Sequence, residues 1–181
     1  YRAAEHGPVS IMFPMVTELA EVAALRAECE QVRAALKAPV VPLGIMVEVP
    51  AVAVMADRFA QKVDFFSIGT NDLTQYVLAM DRQHPRLAAQ ADPLNPAVLA
   101  LIGATAKAAN AAGIHVGVCG GLAGDPLGAR ILTGLGVNDL SMSAQDVATV
   151  KTIIRSETLS NMQQLAQRAL AAGSAAEVRA L

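Results

Sequence analysis

The chain has no uninterrupted apolar run of the roughly 18 residues that a bilayer span requires, because Glu48, Asp57, Lys62 and Lys107 break its apolar stretches. It shows no N-terminal signal-peptide pattern either. Only two cysteines occur, Cys29 and Cys119, without CxxC spacing. A disulfide framework is therefore not indicated, and a reducing compartment, the cytoplasm, is expected. An excess of charge of either sign is also missing, since 14 Lys+Arg against 16 Asp+Glu leave a formal net charge of −2. That balance gives no electrostatic reason to expect nucleic acid or an anionic membrane as partner. Aromatic residues are scarce, at 3% of a chain that is 54% hydrophobic and rich in Ala and Val, so a core layered from small and branched side chains is expected.

The length of 181 residues suggests one domain, 1–181. Tyr1 rather than Met opens it, which gives the expectation of a piece excised from a longer protein.

What is present is an alternation of short apolar runs with helical periodicity. Ile11 to Met15 reads as a strand, Thr17 as a cap with Glu18 and Glu21 in the first turn, and Leu19, Val22, Leu25, Cys29, Val32 and Leu36 as the stripe of a helix. Cys29 falls on that stripe and is assigned to packing. Leu43 to Val47 is a second strand, halted by Pro50 and followed by a helix over 51–61. Val63 to Ile68 is a third, after which Gly69 permits a sharp turn into Thr70, Asn71 and Asp72 and a helix from Leu73 to Met80. A long polar loop follows Arg82. Asn95 with Pro96 caps a helix to about Ala112, His115 to Val118 is a fourth strand ending at Cys119, and Gly120 to Gly124 reads as a small-residue loop. Asp125 with Pro126 opens the next helix. Asn138 to Met142 is a fifth strand, Ser143 caps a helix striped by Val147, Val150 and Ile154, and a last helix spans about 160–172 before a tail, 173–181, expected to fray.

Strands each followed by a helix predict an α/β fold with a parallel sheet, because parallel neighbours need a long return connection. Reacting residues in such folds collect where the strands end. Glu48, Asn71, Asp72, Cys119 and Ser141 all fall at those ends. Taken singly, Glu48 reads equally well as a surface acid, Asp72 as a helix cap, Cys119 as a small buried hydrophobe and Arg82 as a solvated cation. Their shared edge favours a pocket. There Glu48 and Asp72 could give hard oxygen ligands to Mg²⁺, which takes one or two carboxylates along with substrate phosphate oxygens and water.

The segments SIGTNDLTQY and LAMDR, together with IMFPM, GIMVEVPA, VCGG and LSMS, resemble enzyme I of the phosphoenolpyruvate-dependent sugar phosphotransferase system, within the wider family of phosphoenolpyruvate-utilising enzymes. The resemblance covers nearly the whole chain. It implies a partial (βα)8 TIM barrel, roughly strands four to eight, in which Glu48 and Asp72 hold Mg²⁺, Asn71 and Arg82 contact the phosphate, and Cys119 protonates the enolate carbon as pyruvate forms. It also implies a phosphohistidine domain and a phosphocarrier protein as partners through a longer parent, a homodimer, and a fragment inactive on its own, since a full barrel takes about 250 residues. Two features depart from the pattern. Gly121 stands where the family usually has Glu, a variant associated with fructose-type multidomain phosphoryl-transfer proteins, and Arg82 is the only cation that the motifs place near an anionic substrate. The rival readings are the related pyruvate phosphate dikinase or phosphoenolpyruvate synthase, and a non-catalytic dimerisation or regulatory module.

Overall fold

Parallel strands and helices alternate through the computed structural model, which describes all 181 residues. Strands β1 (Ile11–Phe13), β2 (Leu43–Val47), β3 (Phe65–Gly69), β4 (His115–Cys119) and β5 (Asp139–Leu140) lie side by side in chain order, each parallel to the next. Between and after them come α1 (Leu19–Leu36), α2 (Pro50–Val54), α3 (Ala56–Phe59), α4 (Thr70–Leu78), α5 (Pro96–Ala112), α6 (Gly121–Gly124), α7 (Pro126–Gly134), α8 (Ala144–Ser156), α9 (Leu159–Ala171) and α10 (Ala175–Arg179).

Consecutive strand order means that every crossover steps one strand in the same sense, and right-handed crossovers then place all the helices on one face. Burial follows this rule. On the helical face Leu43, Ile45, Val47, Phe66, Ile68, Val116 and Val118 are buried, whereas Met12, Met46, Phe65, Ser67, Cys119 and Asp139, on the other face, are exposed or only half-buried. A doubly wound open sheet carries helices on both faces. A sheet with one bare face is the inner wall of a barrel arc, so the expected partial (βα)8 barrel is what this chain builds.

Several local expectations change. The cap of α1 is Glu18 rather than Thr17: Glu21 reaches back to the Glu18 N–H at 2.8 Å and also takes the Thr17 N–H and hydroxyl. The helix expected over 51–61 divides at Met55 into α2 and α3. Residues 121–124 form a helical turn instead of a loop, and β5 shrinks to two residues. On α1 only Val22 is buried, Val32 and Leu36 are exposed, and Cys29 is half-buried in an apolar groove with Tyr1, Ile11, Phe13 and Leu25. That groove lies along β1, an edge strand with a single neighbour, which leaves the stripe without a covering element.

The tail corrects the sequence reading most clearly, because 175–179 form α10 and bury Val178. Arg179 anchors it, with Nε and Nη2 on the two carboxylate oxygens of Asp92 at 2.6 and 2.9 Å and Nη1 3.4 Å from Asp125. Burial alone would raise the Asp92 carboxyl, but hydrogen bonds from Arg179 and the Leu94 N–H outweigh it and hold the group below its ordinary value. A depressed carboxyl contributes stability that is present above its unfolded value and is lost as pH falls through the folded one. Amide-exchange protection at Val178 should therefore fall below about pH 4. In an Arg179→Ala variant that protection should already be low at neutral pH.

Candidate functional site

The bare face of the sheet gathers the polar strand ends. Val47 faces the helices, so the next side chain, Glu48, turns to the inner side, as alternation along an extended chain requires. Glu48 is 3% exposed, which excludes the surface-acid reading. Its Oε1 accepts the Met15 N–H at 2.7 Å, its Oε2 lies against Gly69, and no Lys, Arg or His pairs with it. Met15 presents that N–H from the left-handed region, φ 56°, a conformation that a side chain adopts at a cost of about 1–2 kcal/mol. Backbone strain of this kind tends to sit at functional sites.

Helix α4 begins at Thr70, directly after β3, with Gly69 as N-cap and no side-chain cap bond. Asn71 and Asp72 are thus free of capping duty, against the cap reading. Asn71 Oδ1 accepts the Gly121 N–H at 3.2 Å, which ties the end of β3 to the end of β4. Asp72 Oδ1 meets Arg82 Nη2 at 3.0 Å, with the two side chains 29% and 43% exposed. Arg82 returns because Ala79, also left-handed at φ 52°, closes α4, and because Gln75 Oε1 accepts the Arg82 N–H at 3.1 Å. An ion pair this exposed contributes about 0–1 kcal/mol. A bound anion can therefore draw Arg82 away at little cost.

Cys119 faces inward from the last position of β4, in register with Gly69. Its Sγ lies 3.6 Å from both Ser67 Oγ and the Ile68 carbonyl oxygen. The Cys119 carbonyl accepts the Thr70 hydroxyl at 3.1 Å, and Thr74 in turn donates to the Thr70 carbonyl at 2.6 Å. Gly120 makes the contact possible: its φ is +107°, and a Cβ there would stand 2.5 Å from Thr70 Oγ1. Beyond it an open polar pocket of about 430 Å³ is lined by Gly121, Ser141, Ser143 and Asp146 among others, so Ser141 joins the same rim. Of the residues that sequence reasoning did not assign to the site, Ser67 and Thr70 hydrogen-bond Cys119, one at its sulfur and the other at its carbonyl oxygen. Ser67 had a visible signal as the one polar residue inside the apolar run FFSIG, whereas the Met15 and Gly121 N–H donors had none.

No group of three or more His, Cys, Asp and Glu side chains is placed so as to hold a metal ion by itself. A divalent ion at this rim would rest on Glu48 and Asp72 together with oxygens from a substrate and water, which is how Mg²⁺ is commonly held. A buried, cation-free carboxylate at Glu48 fits such an ion.

The family model described as PEP-utilising enzyme, PEP-binding domain matches residues 1–159. The chain belongs to the phosphoenolpyruvate-utilising enzymes. This phosphoenolpyruvate-binding domain is 57% identical over 182 residues to a multiphosphoryl transfer protein of Xanthomonas campestris pv. campestris, with all of the chain and 22% of the relative covered. It is 55% identical over 181 residues to a multiphosphoryl transfer protein of Rhodobacter capsulatus, again with 100% and 22% covered. It is 43% identical over 183 residues to a phosphoenolpyruvate-protein phosphotransferase of Staphylococcus carnosus, with 98% of the chain and 32% of the relative covered. The phosphoenolpyruvate-binding domain thus spans a fifth to a third of the length of these relatives. No helix in it is long and apolar enough to cross a membrane.

Proposed function

We propose that the chain is the phosphoenolpyruvate-binding part of a longer phosphoenolpyruvate-protein phosphotransferase. In this reading the phosphoryl group passes to a protein histidine on another domain and then toward a phosphocarrier protein, while pyruvate is released. The observation that carries it is the placement of Glu48, Asn71, Asp72 and Cys119 at the ends of three neighbouring strands, with Glu48 held by the Met15 N–H after β1, Asn71 by the Gly121 N–H after β4, Asp72 by Arg82 and Cys119 by Ser67 of β3.

Glu48 and Asp72 are assigned to Mg²⁺, Asn71 and Arg82 to the phosphate, and Cys119 to protonation of the enolate carbon. When bound, Mg²⁺ supplies charge neutralisation on the phosphoryl oxygens. Two carboxylates against one guanidinium leave this rim net negative, and the substrate is itself an anion, so a cation between them removes the repulsion. Arg82 is then free to exchange Asp72 for a phosphoryl oxygen, and its guanidinium stabilises the charge of the group in flight. Asn71, anchored by Gly121, keeps its amide N–H₂ available as a neutral donor. The Cys119 thiol stands on the inner side at the strand end, where it can deliver a proton to one face of a planar enolate. With one cation at the rim, the 181 residues alone are expected to be inactive, further cations coming from the rest of the barrel. Homodimerisation through this domain and a cytoplasmic location belong to the same proposal.

Calorimetric titration of phosphoenolpyruvate into the full-length protein tests the assignment. With Mg²⁺ present the wild type should bind, and Asp72→Ala should weaken binding by about 10–100-fold or more, since loss of a mere outer-shell partner of a metal ligand already costs about 10–100-fold. The non-catalytic module predicts indistinguishable titrations for the two proteins.

A further inference from the structure

Ser67 interrupts an otherwise apolar strand on the bare face, in register between Met46 of β2 and Gly117 of β4, one layer below Gly69 and Cys119. Its hydroxyl donates to Cys119 Sγ at 3.6 Å, and Sγ donates to the Ile68 carbonyl at 3.6 Å. These separations suit sulfur, whose radius exceeds that of oxygen or nitrogen. Packing does not call for a hydroxyl at this point, since the side chain is half-buried beside a glycine and alanine would fill the same space. Of the side-chain contacts, only the sulfur makes use of it.

We infer that Ser67 is a positioning residue for the Cys119 thiol, fixing the sulfur on the inner face of the sheet and donating to the thiolate that proton delivery leaves behind. The inference rests on the proposed role of Cys119 as proton donor. In that step the S–H bond breaks and a C–H bond forms at C3 of the pyruvate enolate. The enolate π electrons make the new bond, the C2 oxygen becomes the ketone carbonyl, and the S–H electron pair stays on sulfur. To reach the carbon, the thiol proton swings off the Ile68 carbonyl by rotation about Cβ–Sγ, while the Ser67 hydroxyl stays on the sulfur. A hydrogen bond to a charged acceptor is stronger than one to a neutral acceptor, so this contact strengthens as charge develops. Interactions that tighten on the way to the transition state raise kcat and leave ground-state binding alone.

The test is pyruvate release by the full-length protein with phosphoenolpyruvate, Mg²⁺ and phosphocarrier. Ser67→Ala should lower kcat by about 10–100-fold with the KM for phosphoenolpyruvate nearly unchanged. Ser67→Thr, which keeps the hydroxyl and has room beside Gly117, should recover most of the loss. Cys119→Ala should be more severely impaired, and adding Ser67→Ala to it should cost nothing further, because the two act through one proton. A wild-type kcat in Ser67→Ala beside an impaired Cys119→Ala overturns the Ser67 inference alone, as does a loss confined to KM or one that Thr leaves unrepaired. A fully active Cys119→Ala overturns the donor role and the inference with it.

Discussion

Glu48→Gln in the full-length protein is expected to cut phosphotransfer from phosphoenolpyruvate by about a thousandfold or more while leaving the unfolding temperature unchanged or slightly raised. The two halves of this expectation come from the same observation. A carboxylate that is 3% exposed, takes one backbone N–H and meets no cation is poorly compensated for the loss of water. Folding alone gives no reason for a charge there, and a neutral amide of the same shape can keep the Met15 N–H bond through its own carbonyl oxygen. A neutral amide is less costly to bury than a carboxylate, so the unfolding temperature should stay level or rise slightly. Catalysis behaves oppositely. Ion-assisted charge stabilisation at a transferring phosphoryl group supplies several kcal/mol, and each 1.36 kcal/mol is tenfold in rate, so the loss is at least about a thousandfold. Paired measurement of kcat and thermal unfolding separates the cases. A structural acid would lose stability and keep its turnover.

Gly134→Ala is expected to be strongly destabilising. A Cβ at this position would run into the Met162 carbonyl oxygen and would lie 2.5 Å from its carbonyl carbon and 3.0 Å from Ala166 Cβ. Met162 is inside α9, where backbone atoms are fixed by the helix and cannot yield as a flexible side chain can. Around the contact Ile131 and Leu132 of α7 and Met162, Leu165, Ala166 and Ala169 of α9 are buried, so separating the helices to admit a methyl would loosen that whole layer. Overpacking of this sort costs about 3 kcal/mol or more, equivalent to about 6–12 °C here. Gly7→Ala is the control, because an added Cβ there meets nothing within 4 Å. Equal melting temperatures for the two variants would mean that α7 and α9 do not approach so closely in solution.

The elements that could be read in advance are those whose signal is local. Asn95 and Asp125, each followed by proline, cap α5 and α7 as their chemistry requires, with Asn95 accepting the Ala97 N–H and Asp125 those of Leu127 and Gly128. Leu43 to Val47 was legible as a strand because a branched apolar run ends against Glu48 and Pro50. The errors arose where distant residues decide. An Ala/Gly/Ser-rich tail looks frayed, yet Arg179 finds Asp92, 87 residues away. Cys29 sits on a helical stripe that predicts burial, and the edge position of β1 leaves that stripe uncovered.

By itself the sequence determined the alternation of strands and helices, the parallel sheet, and which side chains stand at the strand ends, because period, caps and chain breaks act over a few residues. Only the tertiary structure decided that helices cover one face alone, that Glu48 is buried without a cation, that Asp72 and Arg82 hold each other, and that a serine hydroxyl rests on the Cys119 sulfur. The Ser67–Cys119 contact depends on the register between strands, which is set by the packing of the whole sheet rather than by any one strand. The bare face follows from the sense of the crossovers, and the Asp72–Arg82 pair from the turn that closes α4.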